Sequence, residues 1–111
     1  MSDATQKERL EQWIAALRSG KYKQATGTLA KVDGSSTAYC CLGVACVVFH
    51  PDYLTSEERK TAPEELLPSR FLRELGLSWD DQEWLVQMND GGDGFPDIAA
   101  EIESKVLGVI A

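Results

Sequence analysis

The run Tyr39-Cys40-Cys41-Leu42-Gly43-Val44-Ala45-Cys46-Val47-Val48-Phe49 holds all three cysteines of the 111-residue chain and carries no charge. So apolar a segment belongs in the interior, and cysteines in such company behave as small hydrophobes rather than as reagents. Apolar residues on every side erase the period that separates helix from strand. Length favours a helix, because the run exceeds a typical strand and Pro51 stops a helix at about His50. A buried strand is the alternative.

A chain of this size accommodates one compact domain, burying roughly two thirds of its unfolded surface. Hydrophobic residues at 43% and charged residues at 26% are globular values. Met1 to Glu11 is polar and has no secretory apolar core, and no run reaches the ~20 apolar residues of a membrane helix, so a cytoplasmic protein is expected. An odd number of cysteines crowded together is a poor disulfide framework and suits a reducing compartment.

The formal net charge of −7, with 11 Lys and Arg against 18 Asp and Glu, argues against direct nucleic-acid binding, which draws on clustered cations. The charge is also unevenly placed. Asp80 to Glu103 contains eight acids and no Lys or Arg, whereas from Lys7 to Lys31 six bases meet only Glu8 and Glu11.

The expected fold is a mostly helical α+β domain over residues 1–111, with about four to five helices and one short β-hairpin. Leu10, Trp13, Ile14 and Leu17 fall on one face of a helix from about Thr5 to Ser19, ended by Gly20. Thr26 to Val32 and Ser36 to Tyr39 flank Asp33-Gly34-Ser35 as a hairpin. Residues 51–65 are charged, hold two prolines and read as a surface connection, with a one-turn helix at Ser56 to Lys60. Pro68 opens a helix that Gly76 closes, and Leu77 supplies the contact that accompanies a glycine cap. Ser78 and Asp81 form a capping box for the next helix, which Asn89-Asp90-Gly91-Gly92 breaks. A last helix begins near Pro96, its stripe formed by Phe95, Ile98, Ala99, Ile102, Val106 and Val109.

Trp13 to Gln24, Tyr39 to Cys46, Leu67-Pro68, Leu75-Gly76-Leu77 and Met88-Asn89-Asp90 with Phe95, Ile98 and Ala99 together resemble a family of small proteins of tailed bacteriophages and prophages. The resemblance spans most of the chain and implies a phage origin without implying an activity. The sequence departs from that family after Cys46, where an acidic residue is common and Val47 stands here. The segment that follows is also short.

Templates for chemistry fail individually. Cys40, Cys41, Cys46 and His50 offer four zinc-ligand types, yet on a helix Cys40 and Cys41 face away from Cys46 and His50 and no Cys-x-x-Cys pair exists, so no bound zinc is expected. A catalytic thiolate wants an electropositive, partly exposed setting, and His50 is the sole histidine. Asp80, Asp81, Asp90, Asp93 and Asp97 are explained by capping and the helix dipole before general acid-base work. The loop Asn89 to Gly94 meets no EF-hand register, and no lysine follows its glycines to hold phosphate. No catalytic residue and no cofactor is expected.

Arg18, Lys21, Tyr22, Gln24 and Tyr39 gather at the end of the first helix and around the hairpin, and in the family resemblance they belong to the recurring pattern with Asn89 and Asp90. Structurally, Asn89 and Asp90 would cap the last helix and Arg18 would pair with a carboxylate. Functionally, Arg18, Tyr22, Gln24, Tyr39, Asp80, Asp81, Asn89, Asp90 and Asp93 are binding candidates, with Tyr and Arg as favoured anchors. The expectation is a non-enzymatic phage-encoded protein that inhibits a host or antiviral-defence protein, an anti-CRISPR-like inhibitor in its most concrete form, by presenting an acidic carboxy-terminal face to a basic surface. The alternative is a small-ligand binder that sequesters a nucleotide or signalling molecule near Arg18, Tyr22 and Tyr39.

Overall fold

The structure, a computed structural model, describes residues 3–58 and 66–108. Helix α1 (Asp3–Arg18) leads to strands β1 (Lys23–Gln24), β2 (Ala30–Asp33) and β3 (Ser36–Tyr39), and then to α2 (Cys41–Phe49) and a 3-10 turn (Pro51–Thr55). Helices α3 (Ser69–Leu75), α4 (Trp79–Asp90) and α5 (Phe95–Ile102) follow, and α5 widens into a π-helical turn at Glu103–Leu107. The fold is α+β and mostly helical. No helix among the described residues is long and apolar enough to cross a membrane.

The cysteine run is a helix and it sits at the centre. Cys41 through Cys46 are all buried, and Leu10, Trp13, Ile14 and Leu17 of α1 close over them. Trp13 Nε1 donates to the Cys41 carbonyl at 2.9 Å, so the largest buried side chain satisfies its one polar atom while locking α1 to α2. Gly43 makes the packing possible. A Cβ at this position would lie 1.8 Å from the Leu29 carbonyl oxygen, which itself accepts from the Cys40 amide at 3.2 Å.

The hairpin is present, with pairing from Ala30↔Tyr39 to Asp33↔Ser36 and Gly34 at φ +63° in its turn. Its first strand begins at Ala30 rather than Thr26. The segment before it drops inward at Leu29, which is fully buried. A third strand was not legible: β1 pairs parallel with β3, giving the order β1-β3-β2. Two residues are too few to show a period.

Of the segment 51–65, the described residues 51–58 are mostly exposed, with Tyr53 alone buried and meeting the Phe71 ring edge-on at 5.1 Å. The turn expected at Ser56 to Lys60 runs into residues 59–65, outside the described residues. Helix α4 ends within Asn89-Asp90-Gly91-Gly92, running through Asn89 and Asp90, and the Gly91 amide closes its last turn on the Gln87 carbonyl at 2.9 Å.

The caps match their signals. Gly76 is left-handed at φ +71° and the Leu77 amide donates back to the Leu72 carbonyl at 2.9 Å, with Leu77 buried. Ser78 and Asp81 exchange both capping-box bonds, at 2.9 and 3.1 Å. Helix α5 starts at Phe95, and Phe95, Ile98, Ala99, Ile102 and Val106 form its buried stripe against α1 and α4. Val109 lies outside the described residues.

Candidate functional site

Because α4 runs to Asp90, Asn89 is carried inward to the start of α2, where it is 1% exposed. Its Oδ1 accepts from the Cys41 amide at 3.2 Å and from Gln24 Nε2 at 2.9 Å, and its Nδ2 donates to the Ala25 carbonyl at 2.7 Å. Gln24 also donates to the Asp93 carbonyl at 2.7 Å, and Asp90 Oδ1 accepts from the Gly27 amide at 3.0 Å. Gln24, Asn89, Asp90 and Asp93 therefore meet, as a clasp between β1, α2 and the end of α4. The expected capping of the last helix by Asn89 and Asp90 does not occur. Gly94 is the N-cap of α5 and makes no side-chain bond, while Asn89 satisfies an orphan amide of α2 instead.

The side chains of Arg18, Tyr22 and Tyr39 make no hydrogen bond to the clasp among the described residues, although Tyr39 pairs with Gln24 through its backbone. Arg18 forms a fork with Glu103, at 3.1 and 3.3 Å, which holds the Glu103 carboxyl below its usual range. Tyr22 packs edge-on against Tyr39 at 5.9 Å, and Lys21 Nζ lies 5.6 Å from the Tyr22 ring. These are stabilising contacts that use the side chains' polar and aromatic faces on other parts of the chain.

The acidic candidates separate along α4. Asp81 is engaged in the capping box, and Asp80 begins a solvent-facing stripe with Glu83, Gln87 and Asp90, all exposed. The rise of a helix puts about 15 Å between Asp80 and Asp90. Asp93 is exposed in the loop beyond. Beside the stripe Trp79 is 50% exposed, its Nε1 donating to Glu83 Oε1 at 3.0 Å. Trp84 is half-buried, with Lys105 Nζ 5.0 Å from its ring.

The thiols serve the interior. Cys40 caps α2, its Sγ accepting from the Gly43 amide at 3.4 Å, and Cys41 Sγ donates to the Leu85 carbonyl at 3.7 Å. Burial pushes the Cys41 thiol well above its ordinary value, and a thiol held protonated is neither nucleophile nor ligand. Among the described residues no three His, Cys, Asp or Glu side chains are grouped to hold a metal ion.

His50 is used differently from the zinc ligand weighed on sequence. Its Nε2 is 2.5 Å from Glu74 Oε2 and its ring stacks on Phe71 at 4.1 Å, joining the end of α2 to α3. A cleft of about 440 Å3 opens beside this pair, bounded by Tyr53 and by the fork between Arg70 and Glu58. Glu74 follows His50 by 24 residues, and no spacing rule in the sequence joins them.

Residues 5–67 match a family model described as a domain of unknown function, DUF8296, which is more than half of the chain. The match includes Gln24 and Cys41, while the Asn89 that bonds both lies beyond it. No curated protein matches the chain. No solved structure matches it either.

Proposed function

The chain belongs to the DUF8296 family, a description that names no activity, and we propose that it is a phage-encoded, non-enzymatic interaction protein that inhibits a host or antiviral-defence protein in the host cytoplasm. The observation that carries this reading is the solvent face of α4, where Asp80 and Glu83 lie beside an exposed Trp79 and Asp90 ends the same face. An aromatic anchor next to a run of like charge is the composition of an interface core with a steering rim. Asp80, Asp93 and Asp97 make no ion pair among the described residues, so their charge is available to a partner. The partner has a basic surface. A nucleic-acid-guided nuclease is the most concrete candidate, since it holds its guide duplex in a positively charged channel that an acidic helix can occupy.

Sequestration of a small ligand at Arg18, Tyr22 and Tyr39 is the weaker reading, because Glu103 already occupies the guanidinium and the two rings pack on each other. The polar clasp around Asn89 is likewise spent on the fold.

The test is capture of a partner from host lysate by the tagged protein, at low and at high salt. A captured protein with a basic groove, released by salt and lost in the Trp79→Ala and Asp80→Lys/Asp93→Lys variants, supports the proposal. Capture that is indifferent to salt and to both variants refutes the acidic-face mechanism. A parallel thermal-shift screen of nucleotides that gives a large shift with no captured protein favours sequestration.

A further inference from the structure

The pairing across the sheet places Lys23 opposite Ala38 on one side and Lys31 opposite Ala38 on the other. Residues directly opposite on neighbouring strands share a face, and strands lie about 4.8 Å apart, so the two lysine Cα atoms are about 10 Å apart in one row. The alternate residue Gln24 turns the other way, toward Asn89. A short side chain between two long ones leaves a trough. It is a groove of about 270 Å3 with Ala38 at its floor, Lys23 and Lys31 on its sides, and Thr26 and Ser36 at its rim.

Among the described residues neither lysine side chain has an ion pair or a hydrogen bond, in contrast to Arg18, Arg70 and Lys105, each of which faces a glutamate. Two ammonium groups carried in one row of the sheet repel each other weakly in water, and they form a local positive patch on a chain with net charge −7. An anion seated between them removes the repulsion and makes a charge-assisted hydrogen bond with each.

We propose that this groove binds a small phosphoryl dianion, free or esterified, between Lys23 and Lys31, with the Thr26 hydroxyl as a neutral donor. Charge selects the class. A phosphate monoester carries close to two negative charges at neutral pH, matching two ammonium groups where a carboxylate matches one. The volume sits just below the usual range for ligand sites, which fits a phosphate or sugar phosphate rather than a dinucleotide. No aromatic side chain lines the groove to stack a base. A long polyanion would also have to cross the acidic surface of the rest of the molecule. Lys23 and Lys31 belong to the sheet and not to the α4 face, so substitutions at the two lysines and substitutions at Trp79 and Asp80 test the two proposals independently.

The experiment is a titration of the 15N-labelled full chain with inorganic phosphate and, separately, ribose 5-phosphate, following backbone amide shifts. Saturable shifts centred on Lys23, Lys31 and Ala38 are expected. Tighter binding of ribose 5-phosphate assigns the groove to an ester, tighter binding of inorganic phosphate assigns it to the free ion, and both support the dianion chemistry. Each of Lys23→Gln and Lys31→Gln is expected to weaken binding roughly tenfold, the worth of one charge-assisted hydrogen bond. Both lysines are exposed, and unchanged spectra away from the sheet establish that the variants fold. Absence of saturation, shifts that persist in the double variant, or an equal response to acetate overturns the proposal.

Discussion

A single side chain at Asn89, itself 1% exposed, answers three backbone or amide groups from segments 48 to 65 residues away, and the bonds to the Cys41 amide and the Ala25 carbonyl are buried. Replacing it by alanine strands the Cys41 amide and the Ala25 carbonyl together, and a buried polar group left unpaired costs roughly 1–3 kcal/mol. Asn89→Ala is therefore expected to lower stability by about 3 kcal/mol in urea unfolding, a size that buried network losses reach. A loss below about 1 kcal/mol would mean that the clasp is decoration on a fold held elsewhere. Cys41 supplies a second residue-level test, through pH. The unfolded chain ionises this thiol above about pH 8.5, while burial keeps the folded thiol protonated well beyond that. Above that point the unfolded state binds fewer protons at this thiol than the native one, so the thiol's contribution to stability is constant below it and falls as pH rises toward the folded value, by up to about 1.4 kcal/mol per unit. Urea midpoints at pH 7 and 9.5 for the native chain and Cys41→Ala check this, the extra alkaline loss being present only where the thiol is. Residue type made Asn89 and Cys41 conspicuous in the sequence. Their partners were not legible, because a contact across 48 positions leaves no periodic trace.

Among the elements, legibility follows whether the signal is local. The Gly76 stop and the Ser78–Asp81 box act within a few residues of themselves, and both appear in the structure where the sequence sets them. Strand β1 is defined only by its partner β3, and Tyr53 is buried only because Phe71 is there to receive it, so composition alone reads them as loop. Helix α2 combines the two cases. Its apolar run announced burial, but the position that fixes how closely it packs is Gly43, where the Leu29 carbonyl leaves no room for a Cβ. Gly43→Ala forces α2 away from the backbone before β2 and is expected to cost about 3 kcal/mol, the upper part of the overpacking range. Gly34→Ala, at a turn with positive φ and open space around it, is expected to cost only about 1 kcal/mol, from backbone strain. Chemical denaturation of both variants tests the ranking. A Gly34 variant more damaging than the Gly43 variant would place the weak point of the fold in the hairpin rather than beneath α2.

At the scale of the molecule, the family match and the physical unit have different extents. Residues 5–67 carry the match, yet the core they contribute is completed by Phe71, Leu72 and Leu75 of α3, Leu85 of α4 and Ile98 and Ile102 of α5. Helix α5 packs along α1, whose buried face carries Leu10, Ile14 and Leu17, and Asn89 satisfies the first turn of α2. Cut at Leu67, the shorter chain would expose that apolar face and strand the α2 amide at once. Chains of about 60 residues bury only about 60% of their unfolded surface even when intact, which leaves little margin for such losses. A fragment of residues 1–67 is accordingly expected to show no cooperative thermal transition by circular dichroism. Adding residues 68–111 in trans is expected to restore one, because the missing helices bring both the apolar cover and the amide's acceptor. A fragment that melts cooperatively alone would show that the segment matching the family model is self-sufficient, and the clasp to α4 would then be a later attachment rather than part of what makes this chain fold.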